Sequence, residues 1–436
     1  MSRLFIPETL LTFETHLMKI TILAPGSRGD VQPFIALGMG LQSVGYEVCI
    51  ATNATFETFI CNHGLGFFPI QFDMKKVFDS DAGQVGLKSG RNLVSAAQNF
   101  RRVMNPMIQQ LGDDCWAASQ ETDAIIHATL AFYFAPSIAE NFKVPHMVAF
   151  LHPQHPTSTF PSFLSPIKRN LGGFFNRLTQ IIPDTMLWLP YRSAINQWHQ
   201  KRLNLPPFGM NYFKRYRSIL TLYGFSPSVV SKPPDWGNHI EVSGYWFLND
   251  AADWQPPNEL IDFLEAGSPP VYVGFGSMTN RNPEETTDIV LKALARTKQR
   301  GLLLTGWGGL KKSDLPDNVF KIESAPHEWL FPRMAAIVHH GGAGTTGASL
   351  RAGIPTIVVP FFFDQPFWGQ RVADLGVGPQ PIPRKKLSVE RLTAAITTAV
   401  TDKKMQERAA ALGERIRAED GVARAVEFIN RSLSTH

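Results

Sequence analysis

The stretch Val338-His339-His340-Gly341-Gly342-Ala343-Gly344-Thr345-Thr346 follows an apolar run and opens a helical pattern, and its reading decides the fold. Glycines at such a point let backbone N–H groups approach an anion closely. The helix N-terminus adds partial positive charge and the threonine hydroxyls add donors. The loop reads as a diphosphate cradle, with a histidine beside it able to donate to a phosphate oxygen. The same residues also fit a tight turn with a threonine N-cap and a core histidine, because short glycine patterns are weakly specific.

Working outward, Ala335 to His339 reads as a strand, a helix runs to Arg351, Gly353 caps it, and Ile354 to Pro360 is the next strand. That strand runs into Phe361-Phe362-Phe363-Asp364-Gln365-Pro366, which places an acid and an amide at a carboxyl end. Asp364 and Gln365 side by side suit bidentate hydrogen bonding of vicinal hydroxyls. A phosphate grip beside a hydroxyl grip points to a nucleotide sugar. Earlier in this half, Val271 to Phe275 is a strand ending in a glycine turn, Thr286 to Gln299 a helix and Gly301 to Leu304 a strand.

The first half repeats the plan. Met18 to Ala24 is an apolar, β-branched run that breaks at Pro25-Gly26, and a patterned segment from Val31 to Leu41 is closed by Gly45. Tyr46 to Ala51, Ala124 to His127 and His146 to Phe150 read as further strands with helices between them. Alternating strands and helices predict parallel sheets covered on both faces. The expected organisation is an N-terminal extension over 1–17, an acceptor-binding domain over 18–248 and a linker over 249–270, rich in proline and glycine. A nucleotide-sugar-binding domain over 271–412 follows, then a helix over 413–436 that packs back on the first domain. Two doubly wound, Rossmann-like α/β domains then face each other across a cleft, with ligands at the carboxyl ends of their strands.

Composition narrows the class. A chain of 436 residues with 44% hydrophobic and 18% charged residues folds around a core, which excludes disordered, collagen-like and coiled-coil readings. Three scattered cysteines give neither a disulfide framework nor a zinc ladder, so a reducing, cytoplasmic setting is expected. The twelve histidines contain no HExxH spacing, which leaves metal unsupported. Glu8 and Glu14 interrupt the apolar N-terminus, so no signal peptide is expected, and Ile354 to Phe363 falls far short of the ~18 residues of a spanning helix. The formal charge of +5 is unevenly spread: residues 161–217 hold nine Lys or Arg against one acid, Asp184, and nothing marks a nucleic-acid partner.

The string from Ser324 to Val372 resembles the donor-binding signature of family 1 glycosyltransferases, in the sterol glucosyltransferase and bacterial natural-product branch. Pro25-Gly26-Ser27-Arg28-Gly29-Asp30-Val31-Gln32-Pro33 and Val271 to Met278 are similar to the same branch. The resemblance implies a GT-B fold, a nucleoside-diphosphate sugar as co-substrate, inversion at the anomeric carbon, and neither metal nor cofactor. It assigns the diphosphate-contacting histidine to His340 and the phosphate-facing backbone to Gly342, Gly344 and Thr345. The turn after the first strand of this half falls on Gly276 and Ser277, the sugar-hydroxyl pair on Asp364 and Gln365, and the uracil-side segment on Ala325 and His327. Ala348 stands where plant members carry an acid that binds the ribose, so no ribose contact is assigned.

Many members of that family place a general-base histidine where this chain has Asp30, which resembles the aspartate of the sterol and glycopeptide branch. On spacing alone Asp30 also fits a helix N-cap. Ser27, Arg28, His152 and His155 are acceptor-side candidates. The leading reading is an inverting transferase moving glucose from a uridine diphosphate donor to a sterol, lipid or polycyclic hydroxyl. The alternatives are a sugar-nucleotide epimerase and a catalytically silent GT-B partner protein. Leu171, Phe174, Phe175, Leu178, Ile181 and Ile182 fall on one helical face, with Trp188, Tyr191 and Trp198 beyond as interfacial aromatics. Within 161–217 this is expected to form a lip that docks peripherally on an anionic membrane.

Overall fold

A computed structural model of the chain describes residues 17–72, 93–167, 169–210, 212–215, 217–249, 254–275, 283–304 and 315–434. The N-terminal domain is a seven-stranded parallel sheet of β1 (Lys19–Leu23), β2 (Glu47–Asn53), β3 (Gly66–Ile70), β4 (Ala124–His127), β5 (His146–Phe150), β6 (Thr221–Tyr223) and β7 (Ile240–Val242). Its spatial order is β3-β2-β1-β4-β5-β6-β7. The C-terminal domain holds β8 (Val271–Gly274), β9 (Gly301–Leu304), β10 (Val319–Ile322), β11 (Ala336–His339) and β12 (Thr356–Val358) in the parallel order β10-β9-β8-β11-β12. In each sheet the strand order reverses at the first strand, between β1 and β4 and between β8 and β11. Those switch points open a crevice at the carboxyl ends, and the two crevices form the cleft.

Helices α1 (Arg28–Ser43), α2 (Leu93–Ala118) and α3 (Gly173–Leu203) cover the first sheet. The second carries α4 (Asn258–Glu265), α5 (Pro283–Thr297), α6 (Ala343–Ala352), α7 (Gln365–Asp374), α8 (Val389–Thr401) and α9 (Lys403–Arg417), and the chain ends in α10 (Gly421–Leu433). Helix α10 returns to the first domain, where Ala425, Val426, Phe428 and Ile429 join Val31, Phe34, Ile35 and Leu37 of α1 in one buried cluster. The domains also share a core, since Phe367, Trp368 and Val372 of α7 pack with Phe225, Val229 and Trp236 of the N-terminal domain. Arg371 donates from its Nε and terminal nitrogen to the Val229 carbonyl, at 3.2 and 2.6 Å. Ser226 and Ser228 both donate to Glu419 at 2.8 Å.

Three details differ from the pattern read in the sequence. The stretch 249–270 contains α4, whose Leu260 is buried with Tyr272, Leu302 and Leu330, so its second half is part of the C-terminal core. Helix α9 carries past residue 412 to Arg417, and the return to the first domain begins after it. Trp188 and Trp198 are not interfacial: both are buried, with indole nitrogens donating to the Gly209 carbonyl at 2.9 Å and to Asp113 at 3.0 Å.

Candidate active site

The glycine loop is built by its own backbone. β11 ends at His339, whose Nδ1 accepts from the Gly341 N–H at 2.9 Å. Gly341 has φ +91°, and a Cβ there would lie 2.6 Å from Val358 Cγ1, so only glycine fits. At Gly342 a Cβ would sit 2.6 Å from His340 Nε2, which shows how tightly the His340 ring lies against the loop. Gly342 is the N-cap of α6 with no side-chain cap, leaving the first N–H groups of the helix for a ligand. Above Gly344 a Cβ would meet no atom of the described residues within 4 Å. The loop therefore faces open space over a helix N-terminus, flanked by Thr345. Among the described residues His340 Nδ1 has no hydrogen-bond partner, and burial pushes its ring down to about 4, so at neutral pH it is an uncharged imidazole.

His327 opens a helical turn, stacks on Phe331 at 4.3 Å, and is pushed down to about 4 by burial, with the charges of Arg28 and His340 adding. Ala325 packs half-buried beside it. The expected turn residues Gly276 and Ser277 lie outside the described residues.

Asp364 and Gln365 are brought to the cleft but face different ways. Gln365 Oε1 turns inward and accepts from the N–H groups of Phe361 at 2.8 Å and Phe362 at 3.2 Å, so it clamps the loop. Asp364 caps α7 from the loop side, and its Oδ2 accepts from Trp368 Nε1 at 2.8 Å. Burial pushes the Asp364 carboxyl up to about 7; the Trp368 bond opposes this and the charge of Asp30 adds to it. Asp30 is thus near enough for its charge to act on Asp364.

Asp30 stands at the third position of α1 rather than at its cap, which is Ser27. The Ser27 N–H and Oγ both donate to Asp30 Oδ2 at 2.8 Å, the return half of a capping box. Among the described residues nothing donates to Oδ1. The side chain opens into the cleft, and the protein around it strips solvent from the carboxyl and raises it against the two Ser27 bonds. Arg28, also exposed, lies with its guanidinium 5.0 Å from the centre of the Phe59 ring.

The acceptor-side histidines separate. His155 is a structural pin: Tyr223 Oη accepts from the N–H groups of Gln154 and His155, at 3.1 and 2.9 Å, and lies 2.7 Å from His155 Nδ1. His152 stands at the carboxyl end of β5, its ring 4.4 Å from Phe163 and 5.3 Å from Phe363 of the opposite domain. Trp368 and Phe363 are site residues that the sequence reading left out. No group of His, Cys, Asp and Glu able to hold a metal ion occurs among the described residues.

Residues 20–161 match the glycosyltransferase family 28 N-terminal domain, and residues 308–427 match the erythromycin biosynthesis protein CIII-like C-terminal domain. A sterol 3-beta-glucosyltransferase of Arabidopsis thaliana is 40% identical over 428 residues, covering 95% of this chain and 68% of that protein. One of Emericella nidulans is 38% identical over 428 residues, covering 95% of this chain and 30% of its own length. The chain therefore spans about two thirds of the plant relative and under a third of the fungal one. The crystal structure of the calicheamicin glycosyltransferase superposes with a TM-score of 0.68 at 18% identity, over 96% of this chain and 99% of that one, which establishes the GT-B fold. The chain belongs to the family of GT-B glycosyltransferases that includes these sterol 3-beta-glucosyltransferases.

Proposed function

We propose that the protein is an inverting, metal-independent glycosyltransferase that moves a hexose, glucose first among them, from a uridine diphosphate sugar to a hydroxyl of a sterol or similar polycyclic acceptor. One juxtaposition supports this above all. Among the described residues, the open space over Gly344 and the unpartnered Nδ1 of His340 lie at the carboxyl end of β11, while Asp30 reaches into the same cleft from the other sheet. In this reading the diphosphate rests on the N-terminus of α6 and Asp364 holds sugar hydroxyls. Asp30 Oδ1 takes the proton of the acceptor hydroxyl as its oxygen bonds the anomeric carbon. The bond from that carbon to the diphosphate breaks, and its electron pair leaves with the nucleotide. The helix N-terminus and the neutral His340 meet the departing charge, which is the role a divalent ion would otherwise fill.

Incubation with UDP-glucose and a sterol, with and without EDTA, tests the reading by mass spectrometry and by the anomeric configuration of the product. A β-glucoside formed equally in both supports it. Loss in EDTA that magnesium restores overturns metal independence. Galactose nucleotide appearing without acceptor would favour the epimerase, and donor binding without turnover would favour the silent partner.

Peripheral contact with an anionic bilayer belongs to the same proposal, since a sterol must leave a membrane to reach the cleft. No helix among the described residues is long and apolar enough to cross one. On α3, Phe174 and Phe175 are 71% and 57% exposed, and Leu178, Ile181 and Leu189 are exposed along the same side. Arg177, Arg202 and Arg217 are paired with Asp235, Asp113 and Asp184, whereas Arg169, Lys201 and Lys214 are exposed. Basic side chains at such a surface contribute ~1 kcal/mol each on anionic lipid. Co-sedimentation with phosphatidylserine vesicles should exceed that with phosphatidylcholine, weaken with salt and drop in the double variant Phe174→Ser, Phe175→Ser. Self-association without vesicle binding would assign the face to a second copy.

A further inference from the structure

Phe363 holds a backbone conformation that residues with a Cβ avoid, with φ +57° in the left-handed region. The loop around it is fixed, because Gln365 clamps the N–H groups of Phe361 and Phe362. The benzyl group is held where it packs edge-on against two N-terminal-domain rings, His152 at 5.3 Å and 81°, and Phe163 at 5.3 Å and 79°. His152 and Phe163 are themselves buried, 4.4 Å apart, while Phe363 is still 38% exposed. Strain of this kind persists where the surroundings over-determine it and marks functional positions.

Its neighbours give the position meaning. The next residue is Asp364, on the sugar side, and His152 lies two residues past the end of β5, on the acceptor side. The loop carrying Phe163 is knit to α3: the Ser162 N–H donates to Thr179 at 2.8 Å, and Gln180 donates to the Phe160 carbonyl at 3.3 Å. Phe363 is therefore an apolar surface that the donor domain contributes to the acceptor half of the cleft. We propose that Phe363 is an acceptor-specificity residue: its open part packs on the ring system of a polycyclic acceptor, and its contact with His152 and Phe163 sets that ring system in register with the sugar. This rests on the transferase reading above.

The test compares wild type, Phe363→Gly, which relieves the backbone conformation, and Phe363→Leu, which keeps apolar bulk. Each is assayed for transfer from UDP-glucose to a sterol and to a small phenol, for UDP binding by calorimetry, and for binding of the fluorescent sterol dehydroergosterol. Removing one well-packed apolar contact changes discrimination by roughly 10- to 200-fold. Phe363→Gly should lower kcat/KM for the sterol by about that range, through KM, and weaken dehydroergosterol binding. The phenol and UDP should be affected less than about threefold, and Phe363→Leu should fall between. Equal loss for sterol and phenol, or a parallel loss of UDP affinity, would make Phe363 an anchor of the Asp364 loop and overturn the proposal. Unchanged sterol kinetics and binding would overturn it as well. Absence of transfer by the wild type with every acceptor would instead sink the transferase reading, and this proposal with it.

Discussion

Trp368 Nε1 donates to Oδ2 of Asp364 at 2.8 Å, and the same indole, fully buried, lies 5.8 Å from the ring of Phe225 in the other domain. The carboxylate assigned to the sugar is therefore oriented by a side chain that belongs to the domain interface. Trp368→Phe keeps the ring but removes the donor, so the carboxyl loses the bond that opposes its upward shift. We expect weaker UDP-glucose binding with UDP binding unchanged, and a larger deficit at pH 6.5 than at pH 8, where the carboxyl is more fully ionised. Calorimetric titrations at the two pH values decide it, and an equal loss for free UDP would contradict the assignment.

Asp30→Asn should abolish transfer without unfolding α1. The amide oxygen can still accept from the Ser27 N–H, so the box that fixes the first turn survives, but it cannot take a proton. Loss of a general base costs ~100- to 10,000-fold in rate. Turnover should fall by that factor while UDP-glucose affinity holds. A variant with near-normal turnover would leave Asp30 as a helix-start residue only.

Much of this was legible in the sequence because the fold is periodic. The alternation of short apolar runs with helical patterns gave both parallel sheets, and the glycine loop placed His340 at a strand end. What was hidden depends on direction in space. Gln365 and Asp364 are adjacent and chemically similar, yet the loop turns one amide oxygen onto two backbone N–H groups. Helix α3 reverses the usual rule. Its inner face carries Asn176, Gln180 and Asp184, each satisfied by partners such as the Ser158 and Phe160 carbonyls and Gln154, while phenylalanines face solvent. Periodicity finds two faces of such a helix but not which is inside, and so it placed Trp188 and Trp198 at the surface. No local signal gave the positive φ of Phe363, which a residue-type preference would assign to glycine.

Stability should vary with pH in a direction set by histidines. His146, His152, His155, His327 and His340 are each pushed down to about 4 by burial, against an unfolded value near 6.5. Between those values the unfolded chain binds protons that the native protein does not, so stability rises with pH through this window. Asp184 and Asp364, pushed up to about 7, act oppositely: the native state holds their protons longer, and stability falls as pH rises toward 7. His127 and His339 are pushed down as well, and Asp30 and Asp114 up, so the histidines outnumber the opposing carboxyls and give a net rise from pH 4.5 through about pH 6.5 toward neutrality. Thermal midpoints of the ligand-free protein by scanning fluorimetry test this, and a steady decline over that interval would refute it.

Gly344→Ala separates ligand binding from folding at the glycine loop. A Cβ there meets no atom of the described residues within 4 Å, and the residue lies in the first turn of α6, where alanine is the better helix former by about 1 kcal/mol. The free protein should be unchanged or slightly more stable, in contrast to Gly341→Ala, which strikes Val358 at a positive φ and should destabilise it. If the space above Gly344 holds the diphosphate, the added methyl intrudes between the helix N-terminus and the phosphate oxygens. Affinity for UDP and UDP-glucose should then fall together, by about tenfold or more, since one lost contact to a charged group is worth ~1.5–3 kcal/mol. Thermal unfolding and calorimetry on the two variants make the comparison. A Gly344→Ala protein that binds UDP as tightly as the wild type would show that the nucleotide does not lie on this helix.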